Sequence, residues 1–318
     1  MKALYCEHNR LGIRDLPKPI RQSGETLIRI SQAGICSTDL EIVKGYVPGF
    51  KGILGHEFFG HVEEADDPAW IDRRVTAEIN AGCGACDFCR AGMERHCPHR
   101  TVLGIMNRSG VFAEYVVVPQ STVVEIPADL PESSAILIEP LAAALEILDQ
   151  VRIPAKQEVL LIGDGRLAQL IGTVFCNQGY RLSVAGKHPW KYAFLEKQGA
   201  LVLRPGDIPQ SGFAYVIEAS GAPSGFALAV QCVKPRGTII LKSTYASDMP
   251  CNPALLVVNE ITLVGSRCGR FDRALAFLCQ YRPDFSYMIS EHVALTDAMR
   301  GFKASKRPDR LKVVITME

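Results

Sequence analysis

Cys36 and His56 carry a soft thiol and an imidazole in unusual company. Cys36 is followed by Ser37, Thr38 and Asp39, and His56 stands between Gly55 and Glu57. Thiolate and imidazole are zinc ligands, and one carboxylate from elsewhere completes the three protein ligands of a site that keeps a fourth position open for substrate. Glu139, in Ile138-Glu139-Pro140, is the expected carboxylate. The bland alternatives are a buried thiol and a satisfied histidine for the first two, and a helix-start carboxylate complementing the dipole for Glu139.

A second set of ligands is denser. Cys83, Cys86, Cys89 and Cys97 are separated by two, two and seven residues. Two-residue gaps turn successive thiolates onto one ion, and four sulfurs close a tetrahedral shell with no open position, so this zinc is expected to be structural. Disulfides between such near neighbours are geometrically awkward. His96 and His99 flank Cys97 but are expected to be exposed loop residues, since four thiolates already suffice. Cys6, Cys176, Cys232, Cys251, Cys268 and Cys279 sit in apolar surroundings and read as small core residues.

The third constellation is Gly163-Asp164-Gly165-Arg166-Leu167-Ala168, a G-x-G-x-x-A turn that directly follows the apolar run Val159 to Ile162. Gly163 permits the tight turn, Gly165 lets the backbone approach a pyrophosphate, and Ala168 permits close packing of helix on strand. The helix that starts at Arg166 and Leu167 offers free N–H groups to phosphates. At the end of the next strand, a dinucleotide fold that prefers NAD carries an acid for the ribose 2′-hydroxyl. Here the residues are Gly186, Lys187 and His188. Lys187, helped by His188, is expected to hold a 2′-phosphate, which favours NADP; if both are merely solvated turn residues, NAD still binds. Arg267, past the sixth strand, falls at the ligand-binding edge of such a sheet, although a surface ion pair is an equally ordinary role.

These groups must be held by two kinds of architecture. Residues 1–33 and 110–126 alternate strand-like runs with turn signals and read as β-rich. Glycines and Pro48 make the connection from Cys36 to His56 loop-like. Glu139 to Gln150 reads as a helix with Leu141, Leu145 and Leu148 on one face. Thereafter strands are expected at Val159–Ile162, Leu182–Ala185, Leu201–Leu203, Tyr215–Glu218, Thr238–Leu241 and Ile261–Val264, with helical crossovers between most of them. That is the pattern of a doubly wound parallel sheet. Helices are expected over 271–281 and 297–306, and a closing strand over 311–316. The boundaries expected are 1–141 with 268–318 for the β-rich domain and 142–267 for the dinucleotide domain.

Composition narrows the function classes. A chain of 318 residues fits two domains. Its 35 Lys and Arg balance 34 Asp and Glu, and the net charge of +1 gives no basic field for a nucleic acid. The most apolar span, 135–148, is broken by Glu139-Pro140 and is shorter than the ~20 residues a membrane helix needs. The N-terminus has no secretory signal, and eleven cysteines, an odd number with four at metal-ligand spacing, read as reduced. A cytoplasmic location is expected.

Gly34-Ile35-Cys36 with Thr38 and Asp39, Gly55-His56-Glu57, the four-cysteine array, Phe112-Ala113-Glu114-Tyr115, Glu139-Pro140 and Gly163-Asp164-Gly165 together resemble the zinc-dependent medium-chain alcohol dehydrogenases. Glu139-Pro140 is similar to the polyol, sugar and threonine dehydrogenase branch. The resemblance spans nearly the whole chain. It implies an α/β protein, with a GroES-like catalytic domain finished by the C-terminal segment and a Rossmann domain inserted before that segment. It implies two zinc ions per chain, a small alcohol or carbonyl substrate, and a homodimer or homotetramer. Cys36, His56 and Glu139 become catalytic zinc ligands with Glu57 an exchangeable neighbour, Asp39 orients His56, and Thr38 carries the substrate proton. Many relatives carry histidine two positions past the equivalent of Asp39, whereas this chain has Glu41.

The reaction expected is hydride transfer between an alcohol, polyol or sugar, or the matching carbonyl, and NADP(H). The competing readings are a zinc- and dinucleotide-binding sensor without turnover, and a zinc-free quinone or enone reductase.

Overall fold

A computed structural model describes residues 1–244 and 252–317. Cys251 lies outside the described residues. The chain divides into two compact units, Met1–Glu139 with Phe271–Glu318, and Pro140–Arg270.

In the first unit the strand Glu25–Gly34 is the axis. Strand Glu57–Glu64 pairs with it antiparallel along its length. On its other side, Tyr115–Pro119 covers residues 25–29 and Lys312–Thr316 covers residues 32–34. Val123–Glu125, Arg74–Ala77 and Ile289–Ala294 complete seven strands among the described residues. Leu27, Ile28, Ile30 and Ala33 are buried, as expected for a strand flanked on both sides. The register has a chemical consequence: Gly34 lies opposite both Glu57 and Val314, so Cys36 emerges beside the start of one strand and the C-terminal strand of the chain.

The second unit is a parallel sheet in the order Leu201–Leu203, Arg181–Ala185, Glu158–Ile162, Phe213–Glu218, Val233–Leu241, Thr262–Gly265. Numbered along the chain this is 3-2-1-4-5-6, the doubly wound order with its switch point beside Glu158–Ile162. Val159, Leu160, Leu161 and Ile162 are all buried, because helices cover both faces of such a sheet. Each expected strand is present, with ends moved by a few residues.

The helices follow their apolar spacing. Phe271–Tyr281 buries Phe271, Ala274, Phe277 and Leu278. Cys279 lies off that stripe and is exposed, which corrects its expected place in a core; Cys6 and Cys232 are buried, and Cys176 and Cys268 half-buried. Among the described residues no helix is long and apolar enough to cross a membrane.

Candidate functional site

Cys36 precedes the short helix Ser37–Val43, and the Asp39 carboxylate turns back to accept the Cys36 N–H at 2.8 Å. The same carboxylate accepts the Gly55 N–H at 3.2 Å, so one fully buried acid fixes both chain segments that carry Cys36 and His56. Asp39 Oδ1 is also 3.5 Å from His56 Nδ1. That is ion-pair range without hydrogen-bond geometry, and Nδ1, buried, has no hydrogen-bond partner among the described residues. Gly55 is held where only glycine serves: its φ is +95° and an added Cβ would meet the Phe112 ring at 2.8 Å.

Cys36, His56 and Glu57 each bring one ligand atom within 4.8 Å of the others. Burial alone would lower the His56 pKa, yet the Asp39 carboxylate and Cys36 sulfur outweigh it and raise the imidazole well above its ordinary range. The thiol of Cys36, the imidazole of His56 and the carboxylate of Glu57, brought this close, are a donor set that suits zinc. The residues fit the metal.

Glu139 is not in this cluster. It lies in the first turn of the helix Ile138–Gln150. The carboxylate beside Cys36 and His56 is that of Glu57, whose charge is met by Lys312: the Lys312 ammonium donates to Glu57 Oε2, and both side chains are buried. Thr38 is half-buried in the first turn of its helix, and Glu41 is paired with Lys44 at 2.6 Å on the surface.

Cys83, Cys86, Cys89 and Cys97 likewise gather within 4.8 Å. Cys86 Sγ stands 3.5 Å from Cys89 Sγ and 3.6 Å from Cys97 Sγ, close to the ~3.8 Å edge of a tetrahedron of zinc–sulfur bonds. The Cys83 and His99 N–H groups point at Cys97 Sγ. N–H groups of Ala85 and Cys86 lower the Cys83 thiol to about 6, while burial pushes Cys89 to about 12. These four also fit zinc. The side chains of His96 and His99 are exposed, as expected, although His96 ends a short 3-10 turn, Glu94–His96, and is not in a loop.

At the dinucleotide turn, Gly163 has φ +124° and an added Cβ would stand 2.6 Å from the Ala219 carbonyl oxygen. Gly165 is different: an added Cβ would meet nothing within 4 Å among the described residues. Its open surface, before the helix Arg166–Asn177, is the cradle a pyrophosphate needs. Arg166 and Leu167 open that helix. Gly186, Lys187 and His188 follow the neighbouring strand, but their main chain is turned onto Asp164. Asp164 accepts the N–H of Lys187 at 2.6 Å and of His188 at 2.7 Å, and lies 3.1 Å from His188 Nδ1. Arg267 is exposed past the sixth strand, and its carbonyl accepts from the buried Lys242 ammonium at 2.7 Å.

Residues 22–128 match the alcohol dehydrogenase GroES-like domain, and residues 180–280 match the zinc-binding dehydrogenase domain. The chain is 30% identical over 303 residues to D-arabinitol dehydrogenase 1 of Uromyces fabae, covering 87% of this chain and 86% of that protein. This chain belongs to the zinc-dependent medium-chain alcohol dehydrogenases. It is also 25% identical over 341 residues to sorbitol dehydrogenase of Halalkalibacterium halodurans, covering 99% of each. Among solved structures it is similar to a zinc-binding dehydrogenase of Sinorhizobium meliloti 1021 bound to NADP, with TM-score 0.89, 25% identity, and 99% of this chain and 98% of that one covered. As a member of this family the protein is an oxidoreductase that uses zinc and a nicotinamide dinucleotide.

The family's GroES-like and Rossmann domains account for the two units. Three charged residues that pack beside these candidate sites were not singled out by the sequence patterns. Lys312 reads as one lysine in a closing strand, and nothing local marks it as the partner of Glu57. Lys191 reads as a helix-surface residue yet is buried, with Nζ 3.7 Å from Asp164 Oδ1. Asp164 did carry a signal, since an acid inside an anion-binding turn is out of place.

Proposed function

We propose that the protein oxidises a secondary hydroxyl of a polyol or sugar, or reduces the matching ketone, with NADP(H) as the favoured cofactor and NAD(H) also accepted. The observation that carries this reading is the gathering of Cys36, His56 and Glu57 within 4.8 Å around the Asp39 clasp. The names of the arabinitol and sorbitol dehydrogenase relatives support the polyol class. The exposed Lys187, whose ammonium is in no ion pair among the described residues, supports the 2′-phosphate.

Two zinc ions per chain are proposed, one in the four-thiolate cluster and one held by Cys36, His56 and a carboxylate. Glu139 is the proposed third ligand. Glu57 already has the Lys312 cation beside it, which favours the role of exchangeable neighbour. When bound, the catalytic zinc polarises the substrate oxygen and the nicotinamide takes the hydride. The protein's own groups do the rest. Asp39 fixes Cys36 and His56 in place, and the Thr38 hydroxyl takes the proton of the substrate hydroxyl as it becomes a carbonyl. Glu41, two positions past Asp39, is held by Lys44 at 2.6 Å and is assigned no part in the proton path.

The reading extends to assembly. Strand Thr262–Gly265 lies at an edge of its sheet, and Leu263 with Leu255, Val257 and Val258 is exposed there. An apolar edge strand is a pairing surface, and a homodimer through this edge is proposed.

The deciding experiment is an oxidation screen of polyols, sugars and simple alcohols with NADP+ and NAD+ in parallel. Turnover of polyols that is lost on chelation of zinc supports the reading. No turnover with either cofactor would favour a sensor without catalysis, and full activity in Cys36→Ala would favour a zinc-free reductase.

A further inference from the structure

The donors at the end of strand Arg181–Ala185 converge on an acid of the chain itself. Asp164 receives the Lys187 and His188 N–H groups, faces His188 Nδ1, and lies 3.7 Å from Lys191 Nζ. Two backbone N–H groups, an imidazole and an ammonium are the donor set expected around a phosphate. Here a buried carboxylate occupies it.

The carboxylate also occupies a telling position. A Cβ built on Gly186 would meet Asp164 Oδ2 at 2.7 Å. Residue 186 is the first after the second strand, where a dinucleotide fold that selects NAD carries the acid that binds the ribose 2′-hydroxyl. The acid absent from this strand end in the sequence is therefore supplied in space by the glycine turn. Gly186 is the residue that leaves it room.

We propose that Asp164 is a specificity-determining residue, an internal anion that engages these donors and opposes the adenosine 2′-phosphate. Lys187 attracts that phosphate and Asp164 limits the attraction, which makes the enzyme tolerant of both cofactors. The inference rests on the reading that the turn 186–188 faces the adenosine ribose. Two charges of one sign held close disfavour binding strongly, and removing one restores the donors to the ligand.

The test is calorimetric binding of NADP+ and NAD+ to the zinc-loaded full chain, comparing wild type with Asp164→Asn, Asp164→Ser and Lys187→Ala. The Kd ratio of NAD+ to NADP+ is expected to rise at least about tenfold in both Asp164 variants and to fall in Lys187→Ala. A ratio that stays or falls in both Asp164 variants overturns the proposal. So does a wild-type preference for NADP+ beyond about a hundredfold, which needs no variant to fold. A ratio unmoved by Lys187→Ala instead overturns the assignment of the turn to the ribose, whatever the Asp164 variants do to binding.

Discussion

Lys312 donates a hydrogen bond to Glu57 across 255 residues of chain, and both side chains are buried. The pair joins the last strand to the residue after His56, directly beside the Cys36 loop: Lys312 Nζ also lies 3.5 Å from the Ile35 carbonyl oxygen. Removing one partner of a buried ion pair strands the other charge. Lys312→Met is expected to cost about 3–5 kcal/mol in denaturant unfolding, and the double variant with Glu57→Gln to recover much of it. A double-variant loss equal to the sum of the two single-variant losses would show that the two residues are not coupled.

Gly34 is the space in which that ion pair sits. A Cβ there would stand 2.6 Å from Glu57 Oε2 and 3.4 Å from Lys312 Cδ. The carboxylate cannot swing away without leaving its cation. Gly34→Ala is expected to destabilise by about 1–3 kcal/mol and to loosen the metal site, read as faster zinc release to a chelator. Wild-type stability and wild-type release rate together would show that the site has slack.

Zinc content separates the two clusters. Elemental analysis of the purified chain is expected to give two zinc ions for wild type and one for Cys36→Ser with activity lost. Cys97→Ala is expected to lose the other ion together with thermal stability, since a closed four-thiolate site contributes folding energy. Retention of both ions in Cys36→Ser would remove Cys36 from the ligand set.

Two glycines of one turn are expected to behave oppositely. Gly163→Ala meets both a positive φ and the Ala219 carbonyl, so the protein should unfold at lower temperature. Gly165, with φ −74° and open space around it, should accept alanine without loss of stability. Its cost is expected in dinucleotide binding, at least about tenfold in Kd, because the methyl stands where the pyrophosphate approaches. Unchanged binding in Gly165→Ala would mean that the phosphates lie elsewhere.

Burial pushes the Asp164 carboxyl upward, but the N–H groups of Lys187 and His188, the His188 ring and Lys191 outweigh it and hold the group below its ordinary range. A carboxyl lowered by folding stabilises the protein fully above its unfolded value, about 3.9, and loses that contribution as pH falls through the folded value. The melting-temperature gap between wild type and Asp164→Asn should therefore be widest near neutral pH and narrow below about pH 4. A gap that does not narrow would assign the cost of the variant to packing.

The sequence by itself determined the chemistry available and the two architectures that hold it. Four cysteines at short spacing, the glycine turn after an apolar strand, and six alternating apolar runs are local patterns, and local backbone geometry acts on them directly. What only the tertiary structure decided are the relationships between residues remote in sequence. Strand register set Gly34 opposite Glu57 and brought Lys312 onto that carboxylate, so the acid beside Cys36 and His56 arrived already paired with a cation. Adjacent parallel strands set the end of Arg181–Ala185 beside the glycine turn, so the main-chain donors of Lys187 and His188 found Asp164. A charge on a side chain is written in the sequence; the group that neutralises it is chosen by sheet pairing, which acts through space.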